Sequence, residues 1–137
     1  SVIVSTPTLS NATATADGGS GYTGTVDTDV GSGTLYHVVT QSTTTPSVSQ
    51  IKAGQDDTGA AADASGSQSV SSLGQQSVSG SGLTSGVTYY IHYSHTNSSQ
   101  DSTPVTSNSF TPLAVPTNLS VSNITSTSAT LDWTAGT

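Results

Sequence analysis

The chain has no cysteine, methionine, arginine or glutamate, and a single lysine, Lys52, among 137 residues. Each absence removes a class of chemistry. Without cysteine there are no disulfides and no thiolate chemistry, and cysteine usage cannot fix a redox compartment. With one cation against eight aspartates, the net charge is −7. Binding nucleic acid depends on neutralising phosphates with Lys and Arg, so a nucleic-acid partner is excluded. Anionic membrane surfaces are disfavoured for the same reason. No run of about 18 apolar residues occurs, so no membrane-inserted helix is expected. The chain opens at Ser1 with neither a methionine nor a leader, which reads as a processed product or a piece of something longer.

Charged residues make up only 7% of the chain and hydrophobic ones 31%. A soluble domain usually has about 25% charged residues and about 45–50% apolar ones with glycine counted. Ser, Thr, Gly and Asn fill the difference. Helix surfaces call for Glu, Lys, Arg and Gln, whereas Thr, Val and Tyr suit pleated strands and Gly, Ser, Asn and Asp suit turns. The composition therefore predicts an all-β fold with many short strands. Disorder is the competing reading of so much Ser and Gly. Regular alternation in several segments argues against it.

Residues 1–16 read as extended, with Val2, Ile3 and Val4 leading into Pro7. Asp17-Gly18-Gly19 is a turn. Tyr22, Gly24, Val26, Thr28 and Val30 alternate as a second strand. Thr34–Thr40 is a strong strand, with Tyr36 and Val38 expected to point inward and His37 outward. One or two helical turns are expected at 46–53, capped by Thr45, with Pro46 in the first helical position and Gly54 ending the helix. Residues 56–67 read as loop with at most a weak strand. Residues 69–80 hold one or two strands around Val70, Leu73 and Val78. Val87–His95 is the second strong strand, with Val87, Tyr89, Ile91 and Tyr93 on one face. Val105–Thr111 is the last strand of this unit. About seven short strands separated by turns predict an antiparallel β-sandwich with one short helix over residues 1–112. Residues 113–116 form a Pro-bearing linker, and 117–137 supply two further strands.

Those last residues carry a resemblance. Pro116, Leu119, Val121, Ile124, Ala129, Leu131 and Trp133 resemble the opening two strands of a fibronectin type III domain. The resemblance implies the first strands of a second, truncated sandwich, with Trp133 as its structural core residue. Leu83-x-x-Gly86-x-x-Tyr89 resembles the tyrosine corner of immunoglobulin-like and fibronectin type III sandwiches, in which the tyrosine hydroxyl bonds upstream backbone. That implies structural roles for Leu83 and Tyr89, and places Tyr36 on the strand neighbouring Tyr89's. The first unit departs from the family in lacking a Trp on its second strand and in inserting a helix after the third. With its Gln50–Asp56 segment it resembles divergent members in phage virion and bacterial surface proteins.

Candidate sites are few. His37 and His92, on neighbouring strands, are expected to share the outer face, with Tyr90 beside them. They could form a surface contact, a host-surface glycan contact or an incomplete metal site. His95 falls on the other face. Asp56, Asp57 and Asp63 could hold Ca²⁺, though their spacing matches no EF-hand loop. Sequons occur at Asn11, Asn97, Asn118 and Asn123, and glycans there would need a host with the machinery. No nucleophile elbow, paired carboxylates in context or phosphate-cradling loop is present. The reading is of a non-enzymatic module with no cofactor and no metal. It is expected at a virion surface or outside a cell, in a homo-oligomeric or repeating assembly with other virion or surface-fibre subunits. A bacterial adhesin repeat or the spacer of a secreted polysaccharide-degrading enzyme is the alternative.

Overall fold

A computed structural model describes residues 4–136. The expectation for Val2 and Ile3 lies outside them. Among the described residues, ten strands and one helix run in the order β1 (Leu9–Asp17), β2 (Gly21–Thr28), β3 (Thr34–Thr40), α1 (Val48–Ala53), β4 (Ala64–Ser69), β5 (Gly74–Gly80), β6 (Tyr90–Asn97), β7 (Gln100–Asp101), β8 (Val105–Thr106), β9 (Thr117–Ser122) and β10 (Thr130–Thr134). The first eight strands form an antiparallel sandwich. One sheet has the order β1-β2-β5. The other has the order β4-β3-β6-β7, with β8 also pairing β6. Strands β9 and β10 form a separate two-stranded sheet. No helix among the described residues is long and apolar enough to cross a membrane.

The alternation read in β2 is the one that folds. Tyr22, Gly24, Val26 and Thr28 are buried, while Thr23, Thr25 and Asp27 between them are only partly covered. From the facing sheet come Leu35, Val39, Ile91 and Tyr93, and the core is completed by Leu9, Ala14, Val70, Val78, Leu83, Tyr89 and Phe110. Gly24 has a packing reason. A Cβ there would run into the Tyr93 hydroxyl and lie 2.7 Å from Ile91 Cδ1, so only glycine lets Tyr93 cross between the sheets.

The helix starts later than expected. Ser47, not Thr45, is the N-cap, and it forms a reciprocal capping box with Gln50; Pro46 lies just outside the helix. Gly54 closes the helix in the left-handed conformation, as read. The helix buries Ile51, and its Lys52 bonds Asp101 of β7 at 2.6 Å.

The inward and outward assignment of β3 is the reverse of the one expected. Leu35 and Val39 belong to the core between the sheets, which puts His37 on the inner face and Tyr36, Val38 and Thr40 on the other. Val38 and Thr40 are nevertheless buried. A central strand covered on both faces loses the contrast that marks which residues point inward.

Candidate functional site

The three histidines sit on the two central strands of the larger sheet, and the structure separates the pair expected to act together. Val38 lies opposite His92 and His37 opposite Tyr93, so His37 and His92 project from opposite faces. His37 is 4% exposed. Its Nε2 pairs with the Tyr22 hydroxyl at 2.8 Å, and its Nδ1 is buried without a partner. Burial lowers its pKa to about 4, so the ring is neutral near pH 7.

His95 shares the inner face with His37. Its Nε2 donates to the Ser32 carbonyl at 2.8 Å, so its Nδ1 accepts from the Thr28 hydroxyl at 2.7 Å. Between the two, the Tyr93 hydroxyl donates to the Thr13 carbonyl at 2.9 Å. His37–Tyr22, Tyr93–Thr13 and His95–Thr28 thus form a row of polar ties across the sandwich. Burial, and secondarily Tyr22 nearby, holds the Tyr93 phenol far above its ordinary value.

His92 occupies the outer face as expected, but it is fully buried rather than displayed. Its Nδ1 meets Thr106 Oγ1 at 2.7 Å, and its Nε2 meets Thr40 Oγ1 at 2.9 Å and the Ser42 carbonyl at 3.2 Å. Burial lowers its pKa, against smaller opposing effects of the Ser42 carbonyl and Asp57. Tyr90, on the same face, is half-buried and opposite Thr40. The expected exposed His37–Tyr90–His92 surface is therefore not formed.

No group of three or more His, Asp, Glu or Cys side chains among the described residues is placed to hold a metal ion. Asp56 is instead a turn cap. Its Oδ1 accepts from the Thr58 and Ala60 amides and the Thr58 hydroxyl. The Thr58 hydroxyl is the main cause of its lowered pKa. Asp63 accepts from Gln41 at 3.2 Å.

At the tyrosine motif, the Thr84 amide donates to the Tyr89 hydroxyl at 3.0 Å and Leu83 is buried. Tyr36 lies half-buried beside the helix, with Lys52 Nζ 6.0 Å from its ring centre. Trp133 is 55% exposed, and Leu119, Val121 and Leu131 are similarly open. Two strands alone offer these side chains no second layer to pack against.

Comparison with known proteins finds no matching family model and no matching curated protein.

Two features escaped the sequence reading. The Asn108 amide accepts from the Ala14 N–H at 3.0 Å and donates to the Ala14 carbonyl at 2.8 Å, sealing the outer edge of β1. The 94-residue separation leaves no local signal. Strands β4 and β5 carry no comparable seal. Their sequences, ASGSQS and GQQSVSG, are uncharged and free of proline, a signal the sequence did hold. Between them opens a cleft of about 400 Å³ lined by serines, Gly66, Gly80, Gln68, Tyr22 and His37.

Proposed function

We propose that this chain is a non-catalytic structural module of a bacteriophage virion, a capsid decoration, head fibre, neck or tail component that serves assembly or surface attachment. One observation carries the reading. The three histidines, the side chains best suited to acid–base or metal chemistry near neutral pH, are engaged in holding the sandwich together. His92 and His95 have both ring nitrogens bonded, and His37 is buried on the inner face with its Nε2 tied to the Tyr22 hydroxyl. The module is read as a divergent fibronectin type III domain. The order of strands in its two sheets, the bonded tyrosine corner and the resemblance of Gln50–Asp56 support that assignment.

A bacterial surface repeat or enzyme spacer is the second reading, and the β9–β10 hairpin favours it as much as the first. Tandem sandwich units suit any extended surface fibre. Under either reading the surroundings are extracellular or on a virion surface, where scarce Lys and Arg leave few trypsin-type cleavage sites. Imaging the native particle by electron cryo-microscopy tests the proposal. Density for this fold repeated with capsid or tail symmetry supports it. Density on a cell-surface fibre, or beside a catalytic domain, overturns it.

A further inference from the structure

The strand edges that bound the sandwich are not treated alike. The β1 edge carries a register break between Ser10 and Thr13, Asn11 in the left-handed region, and the Asn108 amide across Ala14. On the rim of the larger sheet, β7 and β8 are two-residue strands flanking Pro104, and Asp101 of β7 is paired with Lys52. Strand β4 starts next to Asp63, and the end of the helix at Gly54 crowds Ser65. Short strands, bulges, prolines, charges and covering elements are the devices that keep edges from pairing. Strand β5 has no bulge, proline or charge of its own, and β4 stands off from it across the serine-lined cleft. It pairs with β2 in unbroken register from Gly74 to Gly80. Among the described residues, only Gln76 within it makes a side-chain hydrogen bond, back to the Ser72 and Gly74 carbonyls at the strand's start. The free rim beyond is left open.

Charge points to the partner. A chain of net charge −7 repels its own copies. Yet no Asp or Lys lies between Asp63 and Asp101 in the chain, so β5 itself carries no charge, while Asp27 sits one strand inward opposite Gln75 and Asp63 lies across the cleft. Here two copies can meet with no charge on the paired strands themselves. An antiparallel pair of identical strands about a two-fold axis is self-complementary. It would also bring Leu73, 70% exposed just before β5, alongside the far end of the partner strand.

We propose that β5 pairs edge to edge with β5 of a second copy, joining two three-stranded sheets into one continuous sheet. The pairing rests on the assembly role proposed above and deepens it. It is tested in solution, so its failure is distinguishable from a failure to find the chain on a virion. A single strand pair makes a small interface, so a weak dimer is expected.

Sedimentation of the full chain across micromolar to millimolar concentration is the experiment. It compares the native sequence, a β5 variant (Ser77→Lys with Ser79→Lys) and a β1 variant (Ser10→Lys with Thr15→Lys). Both variants lower the net negative charge equally, so general repulsion falls in each, while only the first places like charges across the proposed pair. Circular dichroism checks that each is folded. The expected result is a native dimer whose Kd rises roughly tenfold in the β5 variant and not in the β1 variant. A chain that is monomeric throughout, or a dimer weakened equally by both variants or by neither, overturns the proposal. Hydrogen exchange gives a second readout. Concentration-dependent protection should appear at residues 75–79, and protection confined to the β9–β10 hairpin would overturn it as well.

Discussion

His37 illustrates how a titratable side chain becomes a structural one. Its ring is neutral in the fold, and burial lowers its pKa from the ordinary value of about 6.5 to about 4. In the unfolded chain it takes up a proton below about pH 6.5. Between there and about pH 4 the unfolded state therefore binds more protons, and stability must fall as pH falls. The expected loss is about 3 kcal/mol across that window, complete near the folded pKa, with His92 adding in the same direction. Urea midpoints at pH 7 and 4.5 measure most of it, and His37→Gln should flatten the profile. Tyr89→Phe should cost about 1 kcal/mol, because the Thr84 amide then loses its acceptor. Its denaturant midpoint reads that loss directly.

Among the elements, the helix is the one whose ends are set by local chemistry. Ser47→Ala removes the capping oxygen and half of the capping box. The expected cost is about 1 kcal/mol by urea denaturation. Legibility varies with how one-sided each element is. Strand β2 has a core face and an open face, and its alternation is readable residue by residue. Strands β3 and β6 are covered on both faces, so Leu35–Thr40 offers no contrast and His37 reads as outward when it is inward. Strand β4 reads as loop with at most a weak strand because ASGSQS has little strand propensity of its own; its pairs with β3 hold it in place. The histidine contacts are not legible at all. Their partners Tyr22, Thr28 and Thr106 are set by the docking of distant segments.

At the scale of the whole molecule, the sandwich and the hairpin should respond separately to denaturant. Trp133 is the only tryptophan, and it lies in the exposed hairpin. Its emission should therefore be solvent-like in the native state and shift little through the main transition. Tyrosine near-ultraviolet circular dichroism should follow the sandwich, whose core holds Tyr22, Tyr89 and Tyr93. Coincident transitions with a strong tryptophan blue shift in the native state would contradict this.

The row of polar ties between the sheets also bears on how stability changes with temperature. Exposing apolar surface raises the heat capacity on unfolding, while exposing polar surface lowers it. A sandwich held by His37–Tyr22, Tyr93–Thr13 and His95–Thr28 releases more polar surface when it opens than one joined by aliphatic contacts alone. Its heat-capacity increment, measured by scanning calorimetry, should fall below the usual value of about 12–15 cal/mol/K per residue. The stability curve is then broad and shallow, and the module loses less of its stability on cooling than one with an all-aliphatic core.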